Sequence, residues 1–273
     1  PNLPEVKEKS ELLKQSLGQR DIMLSVDRLD YSKGILHRLN GFEQFLENNP
    51  EYHEKVSMAM IVVPSRDTVD IYAELKTQID QLIGEINGKY SKLGWNPIFY
   101  FYRSFSFEEL IAMYDIAQVA LVTPLRDGMN LVAKEYLATK CNKPGVLILS
   151  EMAGAAIELP DAIIINPNDT DQIEKAILQA LNMPEKEKKE RLDKMQKRIS
   201  RQDVKKWAKD FVVELLDIKT RNREILQKVV GKRQMNQIKK AYDDAESRLI
   251  LLDYDGTLSP FVKKPEDAVP SSK

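Results

Sequence analysis

The segment Thr123-Pro124-Leu125-Arg126-Asp127-Gly128-Met129-Asn130-Leu131-Val132 follows a short apolar run, Val119 to Val122, and leads through Ala133, Lys134, Glu135 and Tyr136 into good helix formers. That order reads as strand, loop, helix. In an open α/β sheet, a loop at the carboxyl end of a parallel strand that opens a helix is where anionic ligands bind. Gly128 allows a tight turn and close backbone approach, and the amides of Met129, Asn130, Leu131 and Val132 are first-turn donors suited to a phosphate or sugar hydroxyls. Glu135, about one and a half turns into the helix, could accept from a ribose diol. On these residues alone, an ordinary strand-to-helix turn with a surface Glu is an equal alternative. Upstream, Arg28 and Lys33 fall in the polar loop after the apolar run 22–26. Two cations there can hold a diphosphate, Arg by its fork and Lys as a point charge; the alternative is two solvated surface cations. Arg66, in Pro64-Ser65-Arg66, closes the run 56–63. Near the end, the apolar run 248–252 reads as a strand feeding Asp253-Tyr254-Asp255-Gly256-Thr257. Carboxylates spaced by one residue at a strand's end can divide nucleophile and acid/base work and share a divalent metal.

Positioning these loops requires alternating strands and helices, and the pattern supplies them. Helical spacing marks residues 5–17, 36–46, 68–86, 106–114 and 170–181, and strand-like runs lie at 22–26, 56–63, 97–102, 119–122, 145–149 and 163–165. Ser106 with Glu109 forms a plausible capping box. The alternation predicts one doubly wound, Rossmann-like α/β domain with a parallel sheet. From 184 to about 230 only helical spacing remains, with Val204, Trp207, Ala208, Phe211, Val212, Leu215 and Leu216 as a stripe expected to pack on a globular body. The domain reading is therefore residues 1–230 as the Rossmann-like domain with its trailing helices, and 231–273 as a linker plus the start of a second domain.

With 41 basic and 42 acidic residues the net charge is −1, so no global field selects a nucleic acid or a membrane. Residues 184–240 do carry 19 Lys and Arg against 9 Asp and Glu, but without interleaved aromatics this reads as a solvated face rather than a nucleic-acid surface. A single cysteine, Cys141, excludes an internal disulfide and fits a reducing compartment, hence a cytoplasmic location. No run is long enough to span a bilayer. His37 and His53 read as surface residues, and no metal site is expected in the first domain. The start at Pro1 reads as a piece of a longer chain.

The string Leu125 to Tyr136 resembles the donor-site signature of trehalose-6-phosphate synthases, retaining glycosyltransferases built from two Rossmann-like domains (GT-B), and Val26 to Gly34 resembles the same family. The resemblance runs from about Ile22 to Ile218 and implies the C-terminal, UDP-glucose-binding half of such an enzyme. By it, Arg28 and Lys33 contact the donor diphosphate, Asp127 and the amides of Gly128 to Val132 hold the transferred glucose and its phosphates, and Glu135 holds the ribose. Arg66 would contact the phosphate of glucose 6-phosphate, the acceptor, and backbone at Ser104 and Phe105 would meet a uracil edge, although Phe105 equally suits a core position. The product implied is trehalose 6-phosphate, with no cofactor required. Most acceptor contacts belong to an N-terminal Rossmann-like domain that these residues do not contain, so the piece is expected to be inactive alone. A glucosylglycerol-phosphate synthase, or a non-catalytic regulatory relative, is the competing implication. Asp253-Tyr254-Asp255-Gly256-Thr257 resembles the first motif of haloacid-dehalogenase-type phosphatases, which implies Asp253 as nucleophile, Asp255 as acid/base and Mg in a complete domain, without activity here.

Overall fold

The computed structural model describes residues 1–273 except 19, 66–69, 142, 202–203, 228–229, 255–256, 261, 265–266 and 271–273, with backbone alone at 222–227. The chain forms two units, Pro1–Lys206 and Trp207–Lys273.

In the first unit, helix α1 (Pro4–Leu17) precedes β1 (Asp21–Arg28), α2 (Ile35–Asn48), β2 (Val56–Val63), α3 (Asp70–Tyr90), β3 (Ile98–Phe101), α4 (Phe107–Ile116), β4 (Val119–Val122), α5 (Leu131–Thr139), β5 (Val146–Ser150), the short α6 (Ala155–Glu158), β6 (Ile163–Ile165), α7 (Thr170–Asn182) and α8 (Glu185–Arg201). The strands form one sheet in the order β3-β2-β1-β4-β5-β6, and every pair is parallel. The doubly wound parallel sheet predicted from the alternation is present, and its order places a topological switch point between β1 and β4.

Burial explains the strand sequences. β2 is Val-Ser-Met-Ala-Met-Ile-Val-Val and all but its last residue are buried, as expected where helices cover both faces of a parallel sheet. One face packs Met23, Met58, Met60, Val119, Leu121 and Ile148 against Leu39, Phe42, Phe45, Ile79, Ile83 and Ile177 of α2, α3 and α7. The other packs Leu24, Ile61, Ala120 and Leu147 against Leu17, Met113, Tyr114, Tyr136 and Leu192 of α1, α4, α5 and α8. The capping box at α4 forms: Glu109 N–H donates to Ser106 Oγ at 3.2 Å, and Ser106 N–H donates to Glu109 Oε2 at 2.8 Å.

The second unit departs from expectation in one place. Helix α9 (Val204–Gln227), which begins just before the boundary, forms as its spacing predicts, and the rest of its own unit leaves Trp207, Phe211, Leu215 and Leu216 exposed. After α10 (Lys232–Asp244), residues 248–252 form no strand. Leu249 to Leu252 are instead 59–85% exposed. An extended segment leaves its amides and carbonyls unpaired unless a neighbouring strand pairs with them, and no strand is found among the described residues of this unit.

Candidate functional site at the switch point

The donor-site residues singled out on the first and fourth strands gather at the carboxyl rim between β1 and β4. Arg28 is the last residue of β1 and is exposed. The following 3₁₀ turn, Tyr31–Lys33, is capped by Asp30, whose Oδ1 accepts from Ser32 N–H at 2.8 Å and Ser32 Oγ at 2.7 Å. Burial would raise the Asp30 carboxyl, but these two bonds, with Lys33 and Arg28 nearby, hold it below its ordinary value. Gly34 then takes a left-handed conformation, φ +64°, and a Cβ there would lie 2.5 Å from the Thr123 carbonyl oxygen. Only glycine meets both conditions.

The loop after β4 is fastened to this turn. Leu125 and Arg126 N–H groups both donate to the Ser32 carbonyl, at 2.7 and 3.2 Å. Lys33 Nζ meets Asp127 Oδ2 at 2.7 Å, with both side chains largely buried. Asn130 Nδ2 donates to the same oxygen at 3.2 Å, and Met129 N–H to Asp127 Oδ1 at 3.3 Å. Burial alone would raise the Asp127 carboxyl; the Lys33 hydrogen bond and charge outweigh it and hold the group below its ordinary range. Lys33, Asp127 and Asn130 thus converge on one carboxylate.

At the helix start the strained residue is Asn130, φ +73°, and not Gly128, which has no positive φ and open space where a Cβ would go. Asn tolerates the left-handed region, and here it also caps α5, its Oδ1 accepting from Ala133 N–H at 3.0 Å. Leu131 and Val132 lie at the amino end of α5, where N–H groups precede the helix's own ladder. Glu135 is exposed, and its Oε2 accepts from the buried Tyr114 hydroxyl at 3.0 Å. Burial, then the Glu135 charge, pushes the Tyr114 phenol up, so it stays a donor.

Sequence reasoning missed two supports. Arg38 is fully buried and pairs with buried Asp27 at 2.6 Å. Its signal was available: Arg38 sits among Ile35, Leu39 and Phe42 on the apolar stripe of α2. The second support is the loop after β5. Gly154 N–H donates to the Asp127 carbonyl at 2.9 Å, Ala155 N–H to the Met129 carbonyl at 2.8 Å, and Asp127 N–H to the Met152 carbonyl at 3.2 Å. A Cβ on Gly154 would lie 2.1 Å from the Gly128 carbonyl oxygen, so the two loops approach there as closely as only glycine permits.

Other expectations fall elsewhere. Arg66 and Asp255 lie outside the described residues. Asp253 is exposed and follows the unpaired segment 248–252. Phe105 packs edge-on against Phe101 at 5.4 Å, the core alternative. His53 is half-buried, bonded to the Leu46 carbonyl at 2.8 Å and stacked on Trp95 at 5.6 Å, so it is not a solvated surface residue. Among the described residues no cluster of His, Cys, Asp or Glu is arranged to hold a metal, and no helix is long and apolar enough to cross a membrane. Cavities of about 730 and 510 Å³ lie at the opposite, amino-terminal rim, beside Asp21 and beside Pro144, away from Lys33 and Asp127.

Comparison with known proteins shows what the chain is similar to over most of its length. The model of glycosyltransferase family 20 matches residues 2–217. A bifunctional trehalose-6-phosphate synthase/phosphatase of Thermoproteus tenax is 45% identical over 98% of this chain and 37% of its own length. A glucosylglycerol-phosphate synthase of Synechocystis is 42% identical over 77% of this chain and 42% of its own. A solved E. coli structure bound with UDP-2-fluoro glucose superposes with a TM-score of 0.73 at 40% identity, covering 77% of this chain and 49% of that one. The chain therefore spans about two fifths of these curated relatives and half of the solved one.

Proposed function

The chain belongs to glycosyltransferase family 20, and from that premise we propose that it is the donor-binding half of a trehalose-6-phosphate synthase, which transfers glucose from UDP-glucose to glucose 6-phosphate with retention. The observation that carries this reading is the convergence of Lys33, Asp127 and Asn130 at the switch point of the sheet. When UDP leaves, negative charge develops on the departing phosphate oxygen. Lys33, held by Asp127, and the amino end of α5 would stabilise it together with the exposed Arg28, with no requirement for a metal. Asp127, with the amides from Gly128 to Val132, would hold glucose hydroxyls and phosphate oxygens. Glu135, oriented by Tyr114, would accept from the ribose.

Arg66 is assigned to the acceptor phosphate on its motif alone. The remaining acceptor contacts, and the wall that closes this open rim, would come from a second Rossmann-like domain of the same polypeptide, so the 273-residue chain is expected to bind donor without turning it over. The enzyme would be cytoplasmic. The segment from Asp253 to Thr257 would begin a phosphatase domain using Mg, as the name of the Thermoproteus relative suggests.

Calorimetric titration with UDP tests the donor site. The unmodified chain should bind, and Arg28→Ala or Lys33→Ala should weaken binding by about ten- to hundredfold, the worth of one charge-assisted contact. Equal binding by all three proteins would overturn the reading. The Synechocystis relative supports a second acceptor, a glycerol phosphate. Product formation by the full-length protein with each acceptor separates the two.

A further inference from the structure

Arg38 makes none of the ligand contacts proposed above, yet it joins the segments that carry them. Its side chain is wholly buried, and its donors reach both sides of the switch point. Nε donates to Thr123 Oγ1 at 2.9 Å, just beyond β4. Nη1 donates to Asp27 Oδ2 at 2.6 Å and also to Ser25 Oγ, both on β1. Nη2 donates to the Lys33 backbone carbonyl at 3.1 Å. A leucine or methionine would suit this apolar stripe at far lower desolvation cost, so a core-filling role does not account for the guanidinium. Nor does simple charge balance, because a planar fork is needed to reach three segments at once.

Resting on the donor-site reading, we propose that Arg38 is a positioning residue that sets the Lys33 turn against the end of β4, and so fixes where the Lys33 ammonium is presented to a nucleoside diphosphate. Other restraints also act on the turn: the Asp30 cap is local to it, the Ser32 carbonyl ties it to the later part of the loop at Leu125 and Arg126, and the tip of the Lys33 side chain is paired with Asp127. Arg38 supplies a buried side-chain link from the Lys33 carbonyl itself to Thr123, where β4 ends. Its charge is matched by Asp27, whose carboxyl is pushed up by burial and pulled back by the guanidinium beside it. Four hydrogen bonds therefore hold the buried guanidinium and leave it little freedom, as the support beneath a ligand-binding side chain should have.

A double-mutant cycle distinguishes this role from a merely structural one. UDP affinity is measured calorimetrically for the unmodified chain, Arg38→Lys, Lys33→Ala and the double variant, with near-ultraviolet circular dichroism confirming the fold of each. Acting through Lys33, Arg38→Lys lowers affinity about tenfold when Lys33 is present and less than about twofold in the Lys33→Ala background. An equal loss in both backgrounds, or no loss in either, overturns the proposal. Should Arg38→Lys fail to fold, Thr123→Val carries the same cycle, with a loss of about threefold confined to the Lys33 background supporting it and an additive loss overturning it. Absence of UDP binding by the unmodified chain removes the donor-site reading, and this inference with it; binding with additive losses removes the inference alone.

Discussion

Residues 119–130 and 248–257 share one local grammar: an apolar run, then a loop bearing a carboxylate and a glycine. Their outcomes are opposite. Val119 to Val122 are 1–3% exposed, with β1 on one side and β5 on the other, and Asp127 beyond them is held by three partners. Leu249 to Leu252 form no ladder, and Asp253 is exposed. An apolar run becomes a strand only where neighbours accept its amides and cover both faces. A catalytic-looking loop is held in place only by what surrounds that strand.

Truncation inside the two runs gives the sharpest contrast. Leu121→Ala should cost about 2–5 kcal/mol in urea unfolding, as for a buried leucine. Leu251→Ala should stay within about 0.5 kcal/mol, as for an exposed one. Similar losses at both positions would show the second run to be packed after all. Next in size is the clamp on the first loop. Gly154→Ala drives a Cβ into the Gly128 carbonyl, and should weaken UDP binding about tenfold while leaving the sheet's unfolding cooperative. Unchanged affinity would mean that the loop does not need its neighbour. The smallest effect concerns acid. Asp127 has a lowered folded value, so its stabilisation is complete above the ordinary carboxylate value of 3.8 and is lost as pH falls through the folded one. The melting temperature of the unmodified chain should therefore fall more steeply below about pH 4 than that of Asp127→Asn; parallel curves would remove the Lys33 pair as a stabilising contact.

The same contrast explains what was legible in the sequence. The six strands of the first unit, the parallel class of their sheet and the α4 capping box follow from alternation, period and cap signals that act over short stretches; the strand order does not. Lys33, Asp127 and Asn130 were placed at the right rim because a strand's carboxyl end is a local feature. Arg38 and Gly154 were missed, since each is defined by a partner far along the chain: Thr123 for the first, Gly128 for the second. The segment 248–252 is the complementary case: its β-forming composition reads as a strand, yet among the described residues no neighbouring strand pairs with it. Loop strain was likewise not legible: the positive φ falls on Asn130 and the tight backbone contact on Gly154 of the adjacent loop, each set by partners distant from Gly128 in the chain or by the cap.

Lys33 already has a carboxylate companion, and this changes what arrival of an anion means. On the proposed donor site, a diphosphate would compete with Asp127 for that ammonium, and the displaced carboxylate would become available to sugar hydroxyls. Recognition of the diphosphate and of the sugar attached to it would then be linked by substitution at a single nitrogen.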